Sequence, residues 1–371
     1  MRSPSPSSRW LLFTLALVLA GVTRLAEGFV LFEQHEPIEA PLPQLRPERG
    51  QVIISLNGPW QYRVGEKGPI RQGWIPCSFD GDDEVIFRRT FVLPDSLKAY
   101  QIQLHLPEVH HTVEVWVNNA FVSSFTGSYL AFSTLIARDR LRFGDENDLE
   151  LRINNRLTPR STFPVRPQLM HPQIYGGVFS GVYLRAVPAW SLEDLNLTTD
   201  SPLDSSAASI TMKARIARYR ASAWTADTSA AGAIRIRAQL MDSTGRTLVE
   251  GWSEQIAGGG SESFQVSVRL PKTAVAMWGP GRPVLYQLMA TLVSGGDTLQ
   301  RLSRRVGFRD VQLRQRDLYV NGKLLRVRGI DYVPEHRDGR RALSPSILRQ
   351  DLTRIRDLGF NVIRIPFGPP P

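Results

Sequence analysis

Between Gln51 and Pro188 apolar residues recur at every second position in short runs. Ile102, Leu104 and Leu106 fall on one face of a strand, as do Val113, Val115 and Val117, and again Leu149, Leu151 and Ile153. A period of two marks a strand with one dry face and one wet face. Antiparallel sheets built this way hide their dry faces by packing on each other, so residues 51–188 are expected to form a β-sandwich of jelly-roll type. A second block, residues 189–309, alternates likewise at Ile234, Ile236, Ala238 and Leu240 and at Phe264, Val266, Val268 and Leu270. Gly258-Gly259-Gly260 supplies a flexible turn between these runs. The length and strand spacing of this block predict a smaller, immunoglobulin-like sandwich held by its core alone.

The period changes near residue 325. Leu324 to Ile330 reads as a short apolar strand interrupted by arginine, and Ser344-Pro345 forms a helix start. Ile347, Leu348, Leu352, Ile355 and Leu358 then fall on one helical stripe that Gly359 ends, and Asn361 to Ile365 is again strand-like. Strand, helix, strand is the repeating unit of a parallel sheet, and residues 310–371 spell it once before Pro369-Pro370-Pro371.

Composition narrows the picture further. With 42% hydrophobic and 22% charged residues in a chain of 371, a folded protein of two or three domains is the default. The net charge of +10 raises nucleic acid as a partner. The basic residues, nearly all arginine, are dispersed at positions such as Arg215, Arg218, Arg235 and Arg237. They form no basic stripe interleaved with aromatics, so a solvated basic surface is expected instead. Cys77 is the only cysteine, which excludes an intrachain disulfide and a thiolate metal cluster. His110 and His111 are adjacent on a strand and should point to opposite faces, which argues against a shared metal. No cofactor is expected, and no metal-ligating residue is assigned.

Residues 1–28 read as an export signal. Arg2 and Arg9 precede the apolar run Trp10–Val22, and small residues follow near Ala26-Glu27-Gly28. That run is shorter than the about 20 residues a membrane-crossing helix needs. The expected location is outside the cell or in the periplasm. Arg24 interrupts the cleavage region and leaves an uncleaved membrane anchor as the alternative; no later stretch could span a bilayer. Residues 29–50, with Pro37, Pro41, Pro43 and Pro47, form an extended lead-in. Asn196-Leu197-Thr198 is a lone glycosylation sequon.

Several fragments carry a family resemblance by their order and spacing. They are Leu56-Asn57-Gly58-Pro59-Trp60, Phe87-Arg88-Arg89-Thr90-Phe91, Val115-Trp116-Val117-Asn118-Asn119 and the run Tyr175 to Leu184. Further along come Met277-Trp278-Gly279-Pro280 with Pro283 and Leu285-Tyr286, then Gly307-Phe308-Arg309, Leu318 to Lys323 and Arg328-Gly329. Together, over most of residues 50–371, they resemble glycoside hydrolase family 2, the β-galactosidases, β-glucuronidases and β-mannosidases. Ser180 stands where that family usually has arginine.

The resemblance implies a carbohydrate partner, a β-glycoside, and a retaining hydrolase. Its (β/α)8 barrel presents two glutamates about 5 to 5.5 Å apart, one as acid and base and one as nucleophile. In the family these come from later barrel strands, so no catalytic carboxylate is assigned in this chain. The fold class expected is therefore mainly β: a jelly-roll sandwich (51–188), an immunoglobulin-like sandwich (189–309), and the first βαβ unit of an incomplete barrel (310–371). A closed barrel takes about 250 residues.

Barrel active sites lie at the carboxyl ends of strands, which points to Asp331 and Arg364. Arg364 matches the family's Asn-x-x-Arg, where it orders active-site carboxylates. Asp331 stands where the family commonly has asparagine, but Tyr332 and Val333 replace the Arg and His that follow it. His171 occupies the place from which the first domain can lend an aspartate to sugar hydroxyls. An imidazole can donate or accept there without offering two ionised acceptors. The competing readings are a surface histidine at 171 and a strand-end arginine at 364, and, for the chain as a whole, a non-catalytic carbohydrate-binding or scaffolding protein.

Overall fold

The computed structural model describes residues 29–33, 45–46, 51–81, 84–156, 175–219, 234–255 and 262–366. The leader at 1–28, His171 and the glycine turn at 258–260 lie outside the described residues. The protein is mainly β, with sandwich-like sheets followed by one strand-helix-strand unit.

In the first sandwich the long strand Gln101–Val117 organises everything else. Its early residues pair with Tyr183–Val187 and its later ones with Glu146–Asn154, so it serves two sets of strands in turn. It turns into Ala120–Ile136 through Asn118 (φ 50) and Asn119 (φ 62). Two consecutive left-handed residues are what a tight hairpin turn demands, and asparagine tolerates that region better than other side chains. The alternating triplets behave as their pattern requires: Leu104, Leu106, Val113, Val115, Val117, Leu149, Leu151 and Ile153 are all fully buried.

Alternation fails at one place. The register shifts between Leu106 and Val109 and again between Val109 and His110. Glu108, Val109, His110 and His111 are consequently all buried. The expectation that the two histidines point to opposite faces is thus corrected, because their ring centroids lie 5.1 Å apart. Among the described residues no cluster of His, Cys, Asp or Glu is arranged to hold a metal ion.

The fragments that carried the resemblance turn out to brace the sheets. The Asn57 side chain donates to the Tyr183 hydroxyl (3.1 Å) and accepts from the Val182 N–H (2.8 Å), while Arg89 donates to the Leu56 and Asn57 carbonyls. Trp60, with 1% of its surface exposed, donates its indole N–H to the Leu56 carbonyl. Three motifs distant in sequence therefore meet at one corner.

The second sandwich packs the sheet of Trp190–Asp200, Ala207–Arg218 and Glu262–Pro271 against the sheet of Thr247–Trp252, Ile234–Met241, Tyr286–Ser294 and Asp297–Val306. Ile236, Leu240, Ile216, Leu288, Leu292 and Phe308 make its core. The Asn321 side chain donates to the Trp278 carbonyl and accepts from the Asp310 N–H, so the exit from this sandwich is pinned by residues of two further motifs.

A small meander follows, Val311–Arg314, Asp317–Val320 and Lys323–Leu324. The strand expected over Leu324 to Ile330 is two separate pieces. Lys323–Leu324 pairs backward with the meander, and only Gly329–Asp331 pairs forward, in parallel with Val362–Arg364. The reason is visible in the side-chain bonding. Asn361 accepts from the Arg328 N–H and donates to the Arg326 carbonyl, which fixes where the parallel pair begins. Between the two strands lies the helix Pro345–Asp357, capped by the Ser344 hydroxyl accepting from the Ile347 N–H. No helix among the described residues is long and apolar enough to cross a membrane.

Candidate functional site

The parallel strands end side by side, and their last residues meet. Asp331 and Arg364 are register partners, and the guanidinium clasps the carboxylate with Nε to Oδ1 at 2.7 Å and Nη2 to Oδ2 at 2.5 Å. The hydrogen bonds from Arg364, helped by its charge, hold the Asp331 carboxyl below the usual carboxylate range. Both side chains are exposed, at 52% and 73% for Asp and Arg respectively, so the clasp is open to solvent on its outer side. The two residues expected at strand ends are thus brought together.

The loop that leaves Asp331 turns toward the first sandwich. Tyr332 donates its hydroxyl to Asp351 on the helix (2.9 Å), and its burial and that carboxylate raise the phenol well above its ordinary range. Further along, His336 and Arg340 exchange both backbone hydrogen bonds, a two-residue bridge that lifts the intervening tip. Arg340 adopts φ 51. Ser78 of the first sandwich then fastens the loop. Its hydroxyl donates to the Gly339 carbonyl (3.0 Å) and accepts from the Arg341 and Ala342 N–H groups (3.1 and 3.0 Å).

Beside Ser78 the Arg341 guanidinium reaches Glu108 at 3.7 Å, with the two side chains only 4% and 10% exposed. Ser180 donates to the other Glu108 oxygen at 3.0 Å. Burial pushes the Glu108 carboxyl up, against the pull of Ser180 and Arg341. A serine of the closing strand and a cation from the loop thus face the same carboxylate. His110, next to this joint, is lowered to about 3 by burial and by the neighbouring His111 and Arg341 charges.

Adjacent Arg340 has different company. Its guanidinium lies over the rings of Phe32 (4.6 Å) and Tyr175 (5.7 Å). No carboxylate among the described residues pairs with it, and its buried Nε has no hydrogen-bond partner. Ser78, Glu108, Arg340 and Arg341 carry no motif that sequence reasoning could have read. The one local signal was two consecutive arginines after Asp338-Gly339 in a loop following a strand end. The place of His171 relative to this loop lies outside the described residues.

A family model, glycosyl hydrolases family 2, matches residues 191–309. A β-glucuronidase of Bacteroides fragilis is 21% identical over 336 residues, covering 85% of this chain and 46% of its own length. A β-galactosidase of Thermoanaerobacter pseudethanolicus is 23% identical over 286 residues, covering 76% of this chain and 36% of its own. Among solved structures, Bacteroides uniformis β-glucuronidase 2, covalently bound to cyclophellitol-6-carboxylate aziridine, superposes with a TM-score of 0.74 at 19% identity, over 86% of this chain and 40% of that one. This chain therefore spans less than half the length of these relatives.

Proposed function

We propose, from the match of a glycosyl hydrolases family 2 model to residues 191–309 and the likeness to β-glucuronidases and β-galactosidases, that the chain is a member of that family and the sandwich-and-hinge portion of an exported retaining β-glycosidase. Its substrates would be O-linked β-glycosides of the galactoside, glucuronide or mannoside class. The observation that carries the reading is the parallel strand pair whose carboxyl ends juxtapose Asp331 and Arg364. We assign residues 310–366 to the start of a (β/α)8 barrel, whose reacting groups gather at that end of the strands.

Retention requires one carboxyl to protonate the leaving oxygen and a second to attack the sugar carbon. Asp331 is suited to neither role, because Arg364 engages both of its oxygens and keeps it ionised. A carboxylate so held is a poor proton donor and a poor nucleophile. Asp331 and Arg364 are therefore assigned to ordering the site, with the acid/base and nucleophile glutamates supplied by later strands that these 371 residues do not include.

Two measurements test this. Sequencing the gene past codon 371 should reveal further strand and helix repeats bearing an Asn-Glu pair and a second Glu, and a stop codon at that point overturns the assignment. The purified 371-residue chain should leave a panel of chromogenic β-glycosides intact, whereas turnover of any member would show that the carboxylates lie within it. Export is tested by determining the amino terminus of the secreted protein, which should begin after residue 28.

A further inference from the structure

We propose that the outer face of the first sandwich holds a binding site for a neutral polyhydroxyl ligand, the ring of an uncharged sugar, in a cavity between Arg88, Trp116 and Asp148. The site does not depend on what the strand-end pair of Asp331 and Arg364 does. Glu108, where the loop 332–344 docks, is on the same strand as Trp116 but roughly 25 Å of extended chain away.

The case begins with the alternation that builds the sheet. On the strand Glu146–Asn154, Leu149, Leu151 and Ile153 enter the core, so Asp148, Glu150 and Arg152 project from the opposite face. The neighbouring strands continue the row. Glu150 is the register partner of Arg88 on one side and of Trp116 on the other. Asn119, from the hairpin turn that follows Trp116, closes one end. These six side chains line a cavity of about 210 Å³, room for one sugar ring.

Most of the lining is fixed before a ligand arrives. Arg88 donates to one Glu150 oxygen and Arg152 Nε donates to the other at 2.6 Å, which leaves the Glu150 side chain only 7% exposed. Arg152 also reaches Glu66 at 2.6 Å and lies over the Trp116 ring at 5.1 Å, while Phe121 meets that ring edge-on at 5.4 Å. Groups already held by one another lose little freedom on binding. Two are left over: among the described residues nothing pairs with the Asp148 carboxylate or the Asn119 amide.

Charge and hydrogen bonding then select the ligand. Two guanidiniums and two carboxylates cancel, so the cavity favours neither an anion nor a cation. A carboxylate can accept from two neighbouring hydroxyls, an amide both donates and accepts, and guanidinium N–H groups donate to hydroxyl and ring oxygens. The indole gives the C–H face of a ring an apolar wall. A polyol suits all of these at once.

The test is titration of the 371-residue chain with methyl β-galactoside, methyl β-glucoside, methyl α-mannoside and sodium glucuronate, read by ligand-observed NMR, together with affinity electrophoresis in soluble galactomannan. At least one neutral glycoside should bind without dependence on added salt, and glucuronate should bind more weakly. Asp148→Ala with Asn119→Gly removes both unpaired groups, glycine suiting the φ of 62 at that turn position. This double variant should weaken binding about tenfold. Its thermal melting should match the parent, because neither side chain bonds to the rest of the described fold. Arg364→Gln should bind as the parent does. Retardation by galactomannan assigns the site to a polymer, and titration without retardation assigns it to a free sugar; either sustains the inference. It is overturned if no neutral probe binds, if glucuronate binds more tightly, or if the affinity survives the double variant. Each of those results leaves the glycosidase reading as it stands.

Discussion

At the scale of single residues, burial sets the chemistry of the two histidines most displaced from their ordinary behaviour. Desolvation lowers His105 to about 4 and His110 to about 3. Both are neutral in the folded chain, whereas in the unfolded chain each takes up a proton below about pH 6.5. The unfolded state thus binds more protons in the window between that value and the folded ones, and stability falls as pH drops through it. Each pKa unit corresponds to about 1.4 kcal/mol. Urea unfolding at pH 7.5 and pH 5 should show the loss, and His105→Gln, which keeps a partner for the Ser133 hydroxyl, should reduce the pH dependence. An unchanged slope in that variant would assign the effect elsewhere. Gly177 is a second residue-scale constraint. At φ 140 a Cβ would stand 2.3 Å from the Cys77 carbonyl, so Gly177→Ala should destabilise the first sandwich far more than an exposed substitution does.

Among elements, the loop 332–344 is joined to the first sandwich by the packing of Arg340 on Phe32 and Tyr175 and by polar contacts that are not equivalent. Removing the Ser78 hydroxyl leaves the Gly339 carbonyl and two N–H groups without their shared partner. Ser78→Ala should therefore cost about 1–3 kcal/mol. Glu108→Gln should cost more, about 3 kcal/mol, because the carboxylate facing the nearly enclosed Arg341 charge is removed. The double variant Glu108→Gln/Arg341→Gln should recover part of that loss, since the buried guanidinium charge is then removed with its carboxylate. A double-mutant cycle read by thermal unfolding, with hydrogen exchange of residues 332–344 as the local probe, measures this directly. Strict additivity of the two single losses would mean that the pair is not coupled. The capped helix behaves differently: the Ser344 bond to Ile347 and Pro345 at the first position set where it begins, while no residue of Pro345–Asp357 is fully buried. Its start is local in origin and its packing is not.

For the whole molecule, the division between what the sequence disclosed and what it hid follows the range of the interactions. The period-two runs were readable because each strand carries its own burial pattern, and Asp331 and Arg364 were readable because strand ends place them. Ser78 and Arg341 are 263 positions apart, and the register shift at Val109 that buries Glu108 leaves no mark in composition. The motifs that indicated the family proved to be braces such as Asn57, Asn118 and Asn321 rather than reacting groups. The same range argument bears on the carboxyl-terminal unit. Both sandwiches have dry cores with single exposed apolar residues such as Ile70 (66%) and Leu130 (53%), and in the carboxyl-terminal unit Leu313 (73% exposed), Leu358 (75%), Val327 (53%) and Val311 (52%) remain open. Exposed apolar side chains promote association. The 371-residue chain should therefore bind an apolar-surface dye and associate with increasing concentration. Leu313→Lys together with Leu358→Lys should diminish both effects and leave the melting of the sandwiches unchanged, because neither residue belongs to their cores. Dye binding and association that persist in this double variant would place the sticky surface on the sandwiches instead.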